Sequence, residues 1–322
     1  MRIATRLVCG AALLIAMPCA FAQSYPAKPV RVIIPGAPGA PPDILARAMS
    51  QSMSQALGQA WVVDNRVGAN GIIGMEAVVK AAPDGYTLSI TQGAPVSLNP
   101  YFYSKLSYEP LRDLAPVANM GVIAASILVS AAVQPNTMRE MIDQVRAKPE
   151  SLIWATWGPG SFSDLYRAWA ENAFGVKFQE VPYKTPIAAF QAVMSGEGHV
   201  MLNASGQLPN FVKAGKIKVL GTLGPNRYRT LPDVPSFSEL GYDMDFRGWV
   251  GAFAPAGTSR DIVQRLNSEI NKVLGEADFG ERFLVPASVE FKAGTPDEFA
   301  KFLKVDRELA GRLTKLAKVK PE

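Results

Sequence analysis

Val30-Arg31-Val32-Ile33-Ile34-Pro35-Gly36-Ala37-Pro38-Gly39-Ala40-Pro41-Pro42-Asp43 carries the architecture in miniature. The first five residues are mostly β-branched, which predicts a strand. Pro35 ends it, because proline cannot donate to a sheet ladder. Pro41 and Pro42 fall where a helix tolerates proline, in its first turn. Beyond them Leu45, Met49, Met53 and Leu57 recur every fourth residue, one apolar helical stripe, and Gly58 supplies the residue that closes it.

The same alternation continues along the chain. Further strands are expected at Trp61–Val63, Thr87–Thr91, Ile153–Thr156, Phe178–Val181, His199–Asn203 and Ile217–Gly221. Helix starts are chemically explicit. Thr137 with Glu140 forms a capping box before Met138, Met141, Ile142 and Val145. Thr185-Pro186 is a cap followed by a first-turn proline. Thr258 with Asp261 opens a helix bearing Ile262, Leu266, Ile270 and Val273, stopped at Gly275. Thr295-Pro296-Asp297-Glu298 combines both signals ahead of Phe299, Phe302, Leu309, Leu313 and Leu316. The pattern is α/β. Gly121–Val133, 13 residues, is the longest apolar run of the remaining chain and is expected to be one buried strand. It is shorter than the roughly 18 residues a membrane span needs.

The 322 residues are 48% hydrophobic and 19% charged, which describes a folded chain long enough for two domains. The net charge is +5 with no basic run, so a nucleic-acid partner is not expected. At the amino end Arg2 and Arg6 precede the short apolar core Leu7–Met17 and the small-residue site Ala20-Phe21-Ala22. That is an export signal, with cleavage expected after Ala22. Both cysteines, Cys9 and Cys19, lie within it, so the exported protein would contain none.

Most catalytic chemistry lacks its residues. There is one histidine, His199, at a strand start, and no cysteine nucleophile survives export. A His-Cys metal site is excluded with it. No nucleophile elbow, phosphate loop or dinucleotide fingerprint occurs. Carboxylate pairs such as Asp243 and Asp245 sit in a loop, where surface acids are ordinary.

What the sequence does offer is loops suited to an anion. Helix starts present N–H groups without partners and about half a positive charge. Small residues let a ligand approach them. Gly36–Asp43 is one such loop, with Asp43 placed to cap its helix or to take a ligand donor. Trp157-Gly158-Pro159-Gly160-Ser161-Phe162-Ser163-Asp164 is a second, capped by Ser161 or Ser163. Val181-Pro182-Tyr183-Lys184-Thr185-Pro186 is a third. All three follow strands, and ligands of open α/β sheets bind at the carboxyl ends of strands.

These residues also carry a resemblance. Val63-Asp64-Asn65-Arg66-Val67-Gly68-Ala69-Asn70-Gly71, Ala81–Leu88, Asn99-Pro100-Tyr101, Val181–Lys184, Leu231–Pro235 and Ala254–Thr258 occur in order and at the spacing of a known family. From Tyr25 to Glu322 the chain resembles the Bug-type periplasmic solute-binding receptors of tripartite tricarboxylate transporters. The resemblance implies a two-domain, type II Venus-flytrap fold with two chain crossovers, near Gly121–Ser126 and Arg247–Phe253. Residues 23–122 with 252–322 would form one domain and 123–251 the other. It implies an organic carboxylate held between them in the periplasm, by a monomer, without cofactor, metal or catalysis, and handed to integral-membrane subunits. Alternatives are the same fold serving a membrane sensor, or a secreted enzyme.

The implied ligand contacts are Ala37, Pro38, Gly39, Ala40, Pro41 and Asp43 on the first jaw, with Thr91 and Gln92. On the second they are Thr156, Trp157, Gly158, Gly160, Ser161, Phe162 and Asp164, with Tyr183, Thr185 and Asn203. Several differ from the family's usual residues. Gly36 replaces an aromatic residue, Ala40 a glycine, and Pro42 a Thr, Ser or Ala. Trp157 replaces a small polar residue, Asp164 a histidine, Thr185 a glycine and Asn203 an aspartate. Trp157 and Phe162 could wall an aromatic or bulky acid, or Trp157 could pack within its own domain.

Overall fold

The computed structural model describes residues 25–321. The expected export signal, residues 1–22, lies outside them. Two sheets organise the chain. The first contains β1 (Val30–Ile34), β2 (Trp61–Asn65), β3 (Thr87–Gln92) and β4 (Leu114–Ile123). The second contains β5 (Ala125–Ser130), β6 (Ile153–Thr156), β7 (Gln179–Pro182), β8 (Val200–Ala204) and β9 (Ile217–Thr222). The chain then returns to the first sheet with β10 (Trp249–Pro255) and β11 (Val289–Glu290). The orders are β11-β4-β10-β3-β1-β2 and β7-β6-β8-β5-β9.

In the first sheet β1 lies parallel to β2 and β3, while β10 runs antiparallel between β3 and β4. In the second, β6 is parallel to β7 and β8, while β5 is antiparallel to β8 and β9. Side chains alternate faces along each strand. Val30, Val32 and Ile34 of β1 therefore enter one core with the helices that start at Pro41, Ser50 and Arg260, and Ile33 enters another. Ile127 and Val129 of β5 point to one side of the second sheet and Leu128 to the other. Each sheet is thus buried on both faces, and each with its helices forms a lobe.

The Gly121–Val133 run is not one strand. It is the end of β4 and all of β5, which belong to different sheets and part at Ala124. Ile123 N donates to Gly248 O, so the first crossover runs beside the second. The second crossover lies at Arg247–Gly248, because Phe246 belongs to a second-lobe core and Trp249 to β10. The carboxyl-terminal helix Pro296–Leu316 serves both lobes: Phe299 and Leu303 pack behind the first sheet, Ala310 and Leu313 in the second-lobe core.

Two predicted caps need correction. Ser259, not Thr258, caps the Arg260–Leu274 helix; the Thr258 hydroxyl donates to Pro255 O instead. Thr137 caps its helix as expected, but Glu140 takes the N–H of Asn136 rather than that of Thr137.

Candidate functional site

A cavity of about 520 Å³ lies between the lobes, within the ordinary range for small-molecule sites. From the first lobe it is lined by Asn70, Gln92, Gly93, Ala94, Leu98 and Phe102. From the second come Trp157, Pro159, Gly160, Ser161, Phe162, Pro186, Leu202, Asn203 and Ala204, with Ile123, Ala125 and Gly248 from the crossovers. No lining residue is charged. An anion held here would meet amides and hydroxyls.

The two expected jaw loops share one frame. In each, a Pro-Gly pair turns the chain: Ala40 N donates to Ala37 O around Pro38-Gly39, and Ser161 N to Gly158 O around Pro159-Gly160. Gly39 has φ +83° and Gly160 φ +73°, the left-handed region that the third position of a type II turn requires. Both helices then place an aspartate in the first turn. Asp43 Oδ2 accepts from Gly39 N at 2.9 Å, and Asp164 Oδ2 from Gly160 N at 2.8 Å. The second oxygen of each takes an arginine, Arg47 Nε at 2.8 Å and Arg167 Nη2 at 2.6 Å. The common string Pro-Gly-x-x-x-Asp, at Pro38–Asp43 and Pro159–Asp164, is the sequence signal of this frame.

Both aspartates are buried, at 3% and 2% exposure, so they build the loops and do not reach into the cleft. Burial of Asp43 works against its charge, but Gly39 N–H, Asn65 and Arg47 outweigh it and hold the carboxyl below the usual aspartate range. Both carboxylates lie inside their loops and neither is on the cavity wall.

The second helix start is pinned to its sheet. Ser161 is the cap, its hydroxyl accepting from Asp164 N. Ser163 is fully buried; its hydroxyl takes Trp154 Nε1 and Leu202 N and donates to Ala155 O. Phe162 stacks on Phe246 at 5.2 Å and 11°. Trp157 is half-buried, packed on the second-lobe cluster around Ala155, Ala189 and Val193, and still lines the cavity.

Of the expected contacts, Gln92, Trp157, Gly160, Ser161, Phe162 and Asn203 line this cavity. Ala37, Pro38, Gly39, Ala40 and Pro41 do not; the first-loop tip is largely exposed, and a Cβ added at Gly36, Gly39 or Gly158 would touch nothing. Thr91 and Thr156 are buried, their hydroxyls donating to Gln92 O and Glu180 Oε1. Tyr183 packs against the same second-lobe cluster as Trp157, and Thr185 caps the Pro186–Ser195 helix. Sequence reasoning missed Phe102. Its ring lies 2.7 Å from where a Gly160 Cβ would stand, so glycine is needed for the two lobes to meet there. Only long-range contact reveals it.

His199 is remote from the cavity wall; its Nδ1 accepts from Ile153 N at 2.9 Å, and burial lowers its pKa. Among the described residues no group of three or more His, Cys, Asp or Glu is placed to hold a metal. Asp245 pairs with Arg247 and not with Asp243.

Known proteins share this fold. The model of the tripartite tricarboxylate transporter family receptor matches residues 45–318. A UPF0065 protein of Bordetella bronchiseptica is 30% identical over 317 residues, covering 98% of this chain and 94% of that one. The solved structure of Rhodopseudomonas palustris Rpa4515 with adipate is 25% identical, with a TM-score of 0.75 over 92% of this chain and 100% of that one. The periplasmic binding protein BugD is 28% identical, with a TM-score of 0.71 over the same 92% and 100%. A match through both lobes and both crossovers, around an uncharged cleft, leads to one assignment: this chain belongs to the tripartite tricarboxylate transporter receptor family, whose members are periplasmic solute-binding proteins.

Proposed function

We propose that the chain is exported, cleaved after Ala22, and acts in the periplasm as a monomeric receptor. It captures a small organic carboxylate between its lobes, without converting it, and delivers it to integral-membrane transporter subunits. The observation that carries the reading is the start of the Phe162–Phe174 helix, with its cap Ser161, exposed on the wall of an uncharged cavity between lobes. A helix start is a site for a carboxylate without a cationic side chain. The adipate bound by a related receptor is a ligand of this class. Phe102, Trp157 and Phe162 give the wall an aromatic character suited to a bulky or aromatic acid.

The test is a thermal-shift screen of aliphatic and aromatic acids followed by calorimetry on the best ligand. Ser161→Asp is the decisive variant. Aspartate caps a helix as well as serine does, so the melting temperature should change by only a few degrees. Its charge would stand where the carboxylate is held, so affinity should fall at least tenfold. Ser161→Asn, an uncharged cap, should retain most binding. Equal affinity in Ser161→Asp would remove the helix start from the site.

A further inference from the structure

We propose that contacts across a second interlobe cavity, behind the crossovers, hold the cleft open and set ligand affinity from residues that touch no ligand. The inference rests on the receptor reading above and adds the regulation of its site.

The second cavity holds about 380 Å³. Its first-lobe wall includes Glu281, Ser288, Val289 and Glu290, and its second-lobe wall Gly206 and Arg229. Sheet order puts the two cavities on opposite sides of the crossovers. In the run β11-β4-β10-β3 the crossover strands are the middle pair; Gln92 of β3 lines the cleft, and β11 lines the second cavity. In the second lobe Leu202 and Asn203 of β8 line the cleft, while Arg229 follows β9, across the crossover strand β5. The first crossover agrees. Ala124 lines the second cavity, and its neighbours Ile123 and Ala125 line the cleft. Alternate residues of an extended chain face opposite ways. Among the described residues none of the Pro296–Leu316 helix, which packs in both cores, lines either cavity. A rotation about these links that narrows the cleft therefore widens the cavity behind it.

Two contacts join the lobes across that cavity. Gly206 N donates to Ser288 Oγ at 2.7 Å, and Arg229 Nη1 to Glu281 Oε1 at 2.8 Å. The first stands beside the pivot, because Ser288 O accepts the N–H of Ala124. It is also a tight fit: a Cβ at Gly206 would lie 2.4 Å from Ser288 Oγ and 3.1 Å from Val285 O. The second is exposed, at 68% and 63%, so it adds little cohesion, and a small separation breaks it. Both are made in a structure whose first-jaw tip is exposed and unopposed, that is, with the cleft unshut. Closure has to give them up. A ligand that needs the closed form binds with an apparent affinity reduced by the fraction of protein already closed. Contacts that favour the open form thus weaken binding, and losing them strengthens it.

The experiment is calorimetry on ligand-stripped protein with adipate, terephthalate and 4-hydroxybenzoate, beside solution scattering of the ligand-free protein. Gly206 lies outside the left-handed region, so its backbone accepts alanine, and the added methyl wedges the lobes apart behind the crossovers. Gly206→Ala should bind the best of these acids at least threefold tighter, with a smaller ligand-free radius of gyration. Glu281→Arg sets like charges face to face and should tighten binding at least twofold, which keeps the test should the alanine variant fail to fold. Arg229→Glu/Glu281→Arg restores an ion pair and should return the affinity toward wild type. Asp278→Asn removes a neighbouring exposed pair, with Arg282, that lies inside the first lobe, and should change neither readout. Unchanged or weaker binding, with an unchanged radius, in folded Gly206→Ala and Glu281→Arg overturns the latch and leaves the receptor reading intact. No binding by any of the acids overturns the receptor reading, and scattering then decides the latch alone: radii equal to wild type overturn it.

Discussion

Asp306 is a buried acid with no cation in an ion pair with it among the described residues. It is 4% exposed, and one oxygen accepts from both Ser97 Oγ at 2.5 Å and Trp249 Nε1 at 2.8 Å. Burial, with a smaller push from Asp245, moves its carboxyl up to about 6 against the two hydrogen bonds. A raised value means that the fold favours the protonated acid. Its contribution to stability is therefore full below the unfolded value near 4 and is lost as pH rises through about 6. Two pH units correspond to about 3 kcal/mol. Urea unfolding of wild type and Asp306→Asn at pH 5 and pH 7.5 checks this. The wild type should gain on the variant at the lower pH by about 1–2 kcal/mol, because only part of the titration lies in that window. Parallel pH profiles would show that Asp306 does not titrate there. The position was not legible beforehand, since an aspartate on a helix of mixed polarity gives no sign of facing a tryptophan from a distant strand.

Elements are where the sequence spoke most clearly, and their partnerships are where it fell silent. Val30–Ile34 and the capping box at Thr295 form as read, and the stripe from Leu45 to Leu57 forms as two helices that part at Met49, because strand pattern, turn chemistry and caps are local. Thr258 was misread because two adjacent hydroxyl residues could each cap, and tertiary packing gave Thr258 a carbonyl instead. Gly121–Val133 was misread because a buried strand gives the same apolar run whichever sheet it joins. In the site, the Pro-Gly turns were visible, but the use of Asp43 and Asp164 to close them was not. The carboxyl-terminal helix is the clearest case of a partnership hidden from the sequence. Its single stripe feeds two cores, Phe299 and Leu303 in one lobe and Leu313 in the other. Leu313 is fully buried, and Leu313→Ala should cost about 2–5 kcal/mol. If the helix couples the lobes, both should unfold in one urea transition of lowered midpoint and unchanged slope. A split transition would show that the lobes fold independently of it.

At the scale of the whole molecule, the exposed tip of the first jaw stands apart from a cavity whose wall includes the second jaw. Two crossovers side by side at Ala124 and Gly248 join the lobes. The Pro296–Leu316 helix, packed in both cores, is a third link, so any rotation of one lobe must pivot about it. A ligand that touches both lobes only when they approach must shift the population toward closure, by its differential affinity for the two states. If the lobes close on the ligand, binding and closure are one event. Ala37 is exposed at the first tip and Pro159 is exposed at the second. The only native cysteines are Cys9 and Cys19, in the expected export signal, so engineered thiols would be the sole ones in the exported protein. In Ala37→Cys/Pro159→Cys a short bifunctional maleimide should bridge the tips several-fold faster with saturating ligand than without. The radius of gyration from solution scattering should fall in the same titration. A bridge rate and radius both indifferent to a ligand that demonstrably binds would mean that the lobes hold it without moving, and that the first jaw takes no part in capture.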